Sequence, residues 1–265
     1  MLINSPFNYT GNKFNLLNQL LPVFPNAKCF IDVFSGGGSV YANVLHKYDK
    51  VIVNDIISEL IFIHKQLLKD DDIILKTKTL CVDKDDQDGY NELRRLFNKE
   101  RKPEQLWALM LCCTNNMLRF NKKFEFNQTF GRRTWNKKTD EKVKVFTEHI
   151  RKYKDKLLYI SKSFCDIKIV KDCFYYLDPP YSNTQAGYNS YWNLDDDKKL
   201  ITFCHTIDKK GSKFVLSGTE NHNGKNSIII DVLKENYNFD YLNYNYDKVS
   251  RREKSSTQEI IIKNF

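Results

Sequence analysis

The chain has 265 residues, 41% of them hydrophobic and 28% charged, with a formal net charge of +9. It is long enough to bury a large core, as one domain or as a core domain carrying an insertion. Its apolar runs, such as residues 56–63, are too short and too acidic for a membrane span, and no basic-then-apolar leader opens it. Seven scattered cysteines without a Cys-x-x-Cys pair, and five isolated histidines, exclude a disulfide scaffold or a zinc constellation as the organising feature. A cytoplasmic protein without a metal is therefore expected, and the positive charge favours an anionic partner, nucleic acid first.

The first motif is Asn8-Tyr9-Thr10-Gly11-Asn12-Lys13, a polar, glycine-centred loop before a helix-like stretch at 14–21. A lysine after such a loop often meets a carboxylate or phosphate, although an ordinary turn reads equally well. Residues 28–34 read as a buried strand, followed at once by Ser35-Gly36-Gly37-Gly38-Ser39-Val40. Three glycines let backbone approach a ligand, and the helix predicted over 40–48 offers its N-terminal N–H groups there. Residues 51–55 form a second strand ending in Asp55. This β–glycine loop–α–β–Asp unit reads as the nucleotide-binding half of a Rossmann-like fold, with Asp55 placed to accept ribose hydroxyls. The spacing is not Gly-x-Gly-x-x-Gly, and Asp55 lies 17 residues beyond Gly38. An adenosine-containing ligand without a pyrophosphate fits as well as a dinucleotide, and a tight turn serving packing alone is the plainer alternative.

Residues 56–80 are helical in pattern, 81–89 an exposed acidic loop, and 90–99 and 103–113 two amphipathic helices, the second with proline in its first turn. Asn115, Asn116, Arg119, Asn121, Asn127, Arg132 and Arg133 then interleave with Phe120, Phe124, Phe126 and Phe130. That pattern makes a poor core helix and a plausible hairpin or loop. Asn and Arg pair bidentately with adenine and guanine edges, and Lys/Arg hold phosphates. Between Arg119 and Lys156 stand thirteen Lys/Arg against five acids, a local charge of +8 that accounts for nearly the whole excess. Residues 56–148 read as an inserted recognition region between 1–55 and 149–265. A basic hairpin without sequence reading is the alternative.

A helix is predicted over 143–159, a short strand over 164–166, and a buried strand through Phe174-Tyr175-Tyr176-Leu177 that stops on Asp178-Pro179-Pro180-Tyr181. Two consecutive prolines end a strand and hold a stiff turn, at the sheet edge where open α/β folds bind ligands. Acceptors beside an aromatic ring suit a planar ring bearing an amino group. Residues 182–192 read as a polar, aromatic loop over the site, 195–209 as a helix, 213–217 as a strand and 226–237 as a helix. Residues 241–246 and 257–262 close as an antiparallel pair at the sheet's edge.

Together these motifs resemble the Dam-type DNA adenine methyltransferases, especially the small phage enzymes, in the α order of cofactor loop, recognition insert and catalytic motif. The resemblance implies an α/β fold: a Rossmann-like class I methyltransferase domain (1–55 and 149–265), with a mixed seven-stranded sheet and helices on both faces. A helical and β-hairpin target-recognition domain (56–148) is inserted in it. It implies S-adenosylmethionine as cofactor, leaving as S-adenosylhomocysteine, held by Tyr9, Lys13, Phe34, Ser35, Gly36, Gly38, Asp55, Phe164, Asp166 and Asp178. It makes Asp178, Pro179, Pro180 and Tyr181 the catalytic motif. Duplex DNA would be contacted by Asn8, Asn115, Asn116, Arg119, Asn121, Phe126, Asn127, Arg132, Arg133 and Tyr188, with GATC as target and a monomer or weak dimer on DNA. Thr129, where the family commonly has proline, and Lys123, near which it has glycine, depart from that hairpin pattern. Competing readings are an amino-methyltransferase acting on cytosine, RNA or a protein glutamine, an inactive DNA-binding relative, and a dinucleotide oxidoreductase.

Overall fold

Strands covered on both faces are apolar at nearly every position, because neither face meets water. Phe174-Tyr175-Tyr176-Leu177 has that character, and its strand is buried throughout in the computed structural model, which describes residues 1–180, 192–222, 225–243 and 258–265. Short helical turns over 13–23, including α1 (Leu17–Leu20), lead into β1 (Cys29–Asp32), α2 (Ser39–Val44) and β2 (Lys50–Asn54). Then come α3 (Ser58–Leu67), α4 (Asp72–Leu80), α5 (Gln87–Glu100), α6 (Pro103–Cys112) and α7 (Lys137–Arg151). The chain returns through β3 (Leu157–Ile160) and β4 (Cys173–Leu177) to α8 (Leu194–Lys209) and β5 (Lys213–Thr219). A two-stranded ribbon of β6 (Asn221–His222) and β7 (Lys225–Asn226), then α9 (Ile228–Lys234), β8 (Asn238–Leu242) and β9 (Glu259–Lys263), complete it.

The strands form a seven-stranded sheet in the order β3-β2-β1-β4-β5-β9-β8. The first five are mutually parallel, and β9 runs antiparallel between β5 and β8. Period-two alternation splits the core between the faces. Phe30, Val53, Phe174, Tyr176 and Val215 pack with α2 through α7. Ile31, Val33, Tyr175, Leu177 and Leu216 pack with α8 and α9. The mixed seven-stranded sheet with helices on both faces is the architecture implied by the resemblance. The chain leaves β1 toward β2 on one side, while β4 pairs with β1 on the other, so a crevice opens at the carboxyl ends of β1 and β4.

Several local expectations are corrected. The helix predicted to reach residue 159 ends at Arg151, and Leu157-Leu158-Tyr159-Ile160 is a strand pairing with β2 from Val51↔Leu157 onward. An apolar run of four carries no period of its own, and the open edge of β2 decided its state. The strand predicted at 164–166 is a 3-10 turn capped by the Ser163 hydroxyl. The helix predicted over 56–80 is two helices, broken at Lys69-Asp70-Asp71. The predicted antiparallel closing pair is present, shifted to 238–242 and 259–263, with only β8 at the edge; the predicted residues 244–246 and 257 lie outside the described residues. No described helix is long and apolar enough to cross a membrane.

Candidate active site

Asp178 follows β4 directly, where Pro179 and Pro180 forbid another ladder bond. Its carboxylate is held from two sides. Lys13 Nζ lies 2.7 Å from Oδ1 and 2.8 Å from Oδ2, with both side chains largely buried. Ser217 on the neighbouring strand β5 donates its hydroxyl to Oδ1 at 3.1 Å, and the Tyr176 hydroxyl lies 2.8 Å from Ser217 Oγ. The expectation of a lysine meeting a carboxylate has its geometry here: Asn12 caps the short helix that begins at Lys13, turning the ammonium inward.

The glycine loop is built by conformational demand. Gly38 has φ +82°, and a Cβ there would stand 2.6 Å from the Tyr41 ring and 2.7 Å from His64; Gly36, at φ +46°, lies against the Tyr9 ring, 2.9 Å from where its Cβ would be. Only glycine adopts such a path without strain while letting side chains press on it. Asp55 clasps the loop from beneath, Oδ2 accepting the Gly36 amide and Oδ1 the Ile57 amide, each at 2.9 Å. Burial outweighs those two amides and raises the Asp55 carboxyl to about 6. His64 on α3 closes the other side. Its Nε2 faces the Gly36 carbonyl at 3.1 Å, so Nε2 carries the proton and Nδ1 accepts from the Tyr41 hydroxyl at 3.0 Å. Full burial lowers its pKa to about 4 and keeps it neutral. The N-terminal loop is tied down by Asn43, whose side chain bonds both the amide and the carbonyl of Ile3.

These parts enclose one cavity of about 230 Å³. Tyr9, Lys13, Phe34, Ser35, Gly36, Asp55, Phe164, Asp178, Pro179 and Pro180 line it, so most of the predicted cofactor and catalytic residues converge. Gly38 sits behind the lining as the turn that allows it. Asp166 does not reach the cavity; it is exposed on the turn that brings in Phe164. Tyr181 and Tyr188 lie outside the described residues. Residues missed by the motif reading complete the walls. Trp192 joins Phe34 and Phe164 in an aromatic trio with ring centroids 5.5–5.9 Å apart, its indole N–H donated to Asp197 at 2.6 Å. Asn54 clamps the segment before Phe164 by bonding both the amide and the carbonyl of Lys162. Asp32 lines the cavity with both carboxylate oxygens buried and, among the described residues, with no partner at full hydrogen-bond geometry. Burial, then Asp178 and Asp55 nearby, raise its carboxyl well above the ordinary range. Asp32 stood inside the strand read over 28–34 and was not singled out, Trp192 closed the aromatic loop read over the site, and Ser217 carried no local signal.

The recognition candidates divide into two settings. Asn8, Asn115 and Asn116 line a second, polar cavity with Asn4 and Lys142, which shares Tyr9, Thr10 and Asn12 with the first. Asn115 and Asn116 have left-handed backbones, φ +58° and +51°. Asn116 is buried, donating to the Met110 and Leu111 carbonyls and bonded by Arg133. The rest form a hairpin-like turn, bridged Phe120↔Phe126 and Cys113↔Phe130. Arg119 bonds the Asn127 side chain at 2.8 Å and its carbonyl at 2.7 Å, and Asn121 caps the turn through Lys123 and Glu125 amides. Phe126 is only 1% exposed, in a cluster with Phe97 and Phe120, so its ring supports the hairpin from inside rather than facing outward. Arg132 is exposed at φ +53°.

Residues 9–248 match the family of D12 class N6 adenine-specific DNA methyltransferases. The chain belongs to that family. Modification methylase StsI of Streptococcus sanguinis is 32% identical over 99% of this chain, which spans 43% of that protein. Type II methyltransferase M.MjaIII of Methanocaldococcus jannaschii is 32% identical over 80% of the chain and 83% of its own length. A DNA adenine methylase of Serratia marcescens is 28% identical over 75% and 77% respectively. D12 methyltransferases use S-adenosylmethionine as methyl donor. The cavity's chemistry fits that molecule: an aromatic trio for a purine, a buried carboxyl at the second strand for hydroxyls, and a buried acid, Asp32, for a cationic group.

Proposed function

We propose that this chain is a Dam-type, phage-like enzyme that moves the methyl group of S-adenosylmethionine to the exocyclic N6 of an adenine flipped out of double-stranded DNA, with GATC as the target. The observation that carries the reading is the Asp178 carboxylate, fixed beside two prolines in the lining of the cavity that Gly36 and Asp55 also line. The donor, when bound, supplies a methyl group on positively charged sulfur. The chain does the rest. An adenine amino group is a poor nucleophile because its lone pair is delocalised into the ring. The Asp178 carboxylate and the Pro179 carbonyl accept its two N–H bonds, which lets the nitrogen pyramidalise and frees the lone pair; such positioning is worth up to ~7–11 kcal/mol. Phe34, Phe164 and Trp192 hold a purine by its faces, and Asp55 accepts hydroxyl hydrogen bonds.

The target base reaches this site only by leaving the duplex, at a cost of a few kcal/mol. Tyr181, by stacking on it, offsets roughly 1–3 kcal/mol. Residues 56–148 serve as the recognition domain, with Arg119 and Arg133 reading base edges, Asn115 and Asn116 at the junction between hairpin and cavity, and the lysines of 119–156 on phosphates. The enzyme works as a monomer or weak dimer on DNA in the cytoplasm. Incubation with methyl-labelled S-adenosylmethionine and a panel of duplexes, followed by mapping of the modified base, tests the reading. Label on N6 of the GATC adenine supports it. Label on cytosine, or on adenines regardless of context, overturns the base or the target.

A further inference from the structure

A carboxylate that must accept one N–H bond in a defined direction needs its plane fixed, and Lys13 alone does not fix it. The ammonium sits on a flexible four-carbon stem and straddles both oxygens of Asp178, at 2.7 and 2.8 Å. Ser217 is different. It lies in the interior of β5, 0% exposed, and β5 is locked to β4 in a parallel register that runs through Leu177↔Leu216. Its hydroxyl has one proton, and an ionised carboxylate can only accept, so that proton points at Asp178 Oδ1. Tyr176 must then donate to Ser217 Oγ. Burial and the neighbouring Asp178 raise the Tyr176 phenol well above its ordinary value, which keeps that donor protonated. The result is a one-way chain, Tyr176 O–H to Ser217 Oγ, Ser217 O–H to Asp178 Oδ1, built on two adjacent strands.

We propose that Ser217, backed by Tyr176, is a positioning residue that dedicates Oδ1 to the protein and presents Oδ2 to the reacting amino group. This rests on the proposed reading of Asp178 as the acceptor in methyl transfer. Lys13, whose ammonium reaches Oδ2 at 2.8 Å as well as Oδ1, yields Oδ2 when the base arrives.

The test is single-turnover methyl transfer to a duplex of the preferred sequence, alongside equilibrium titrations with S-adenosylhomocysteine and with a duplex carrying 2-aminopurine at the target. Ser217→Ala is expected to slow the transfer step about 10- to 100-fold, the range that small misplacements of a reacting group produce. Both titrations should stay within about twofold of wild type, since the variant removes orientation and not binding. Ser217→Thr, which keeps the hydroxyl, should restore most of the rate. Tyr176→Phe should slow transfer less, and adding it to Ser217→Ala should cost nothing more, because the chain is already cut. A wild-type rate in Ser217→Ala, or a loss confined to the two affinities, overturns the assignment. If Ser217→Ala does not fold, Tyr176→Phe decides: an unchanged transfer rate overturns it. Wild-type protein that places no methyl on adenine refutes the underlying reading, whereas active wild type with an equally fast Ser217→Ala refutes only the anchoring.

Discussion

Burial sets the ionisation of Asp55 before any ligand arrives. Its carboxyl is raised to about 6, the Gly36 and Ile57 amides offsetting only part of the desolvation. Ligand hydroxyls donate to the ionised form, so binding requires the proton to leave. Affinity for S-adenosylhomocysteine is therefore expected to be full above pH 7 and to weaken below pH 6, by as much as about tenfold per unit. Calorimetry from pH 5 to 7.5 checks this, and Asp55→Asn should flatten the profile; a flat wild-type profile would remove Asp55 from the hydroxyl contact. At this scale the sequence was informative wherever an acid closed a buried strand or a motif. Asp55 and Asp178 were visible because a buried strand ended on each. Ser217 was not: it ended the strand read over 213–217 without a charge or motif to mark it, and only the register of β5 on β4 gives its hydroxyl a carboxylate.

Helix α3 does more than lead into the proposed recognition region. Through His64 it grips the Gly36 carbonyl, and through the buried Glu59 it holds Arg101 at 2.6 Å. Arg101 in turn lies over Phe97, Phe120 and Phe124 and bonds the Phe124 carbonyl. One helix thus braces both the glycine loop and the hairpin. Replacing His64 by Ala leaves a cavity and a buried carbonyl without its donor, a loss of about 2–4 kcal/mol in stability. A roughly tenfold loss of S-adenosylhomocysteine affinity should accompany it, measured by denaturant unfolding and calorimetry; an unchanged affinity would mean the loop holds its shape without α3. Within the hairpin, Arg133→Ala should reduce discrimination between target and altered duplexes by roughly 5- to 150-fold, the value of a bidentate base contact. Equal losses on both duplexes would make Arg133 a phosphate contact and a brace for Asn116. Strand β3 shows where element prediction fails: four apolar residues after a charged helix read as its continuation, and only pairing with β2 makes them a strand.

Across the whole molecule, charge and chemistry are separated in space along the chain. The basic segment 119–156 holds nearly the whole excess of positive charge, while the cavity holds Asp32, Asp55 and Asp178. Duplex affinity should fall steeply with salt, log K declining against log salt by about 0.9 per phosphate contact. Lys137→Ala and Lys138→Ala, at exposed positions on α7, should each flatten that slope by roughly one, equally on target and non-target DNA; a loss of selectivity instead would place these lysines at bases. The sheet and its ligand-binding edge were legible because the glycine loop and the Asp-Pro-Pro turn each mark a strand's end. The continuity of the core from the sheet into the insert was not, since helix-on-helix packing leaves no local signature. Everything converges on Asp178, and Asp178→Ala under single-turnover conditions tests the central claim most directly. The account predicts that methyl transfer to adenine is abolished while the variant still binds the duplex with near wild-type affinity. Near-normal turnover in Asp178→Ala would contradict it.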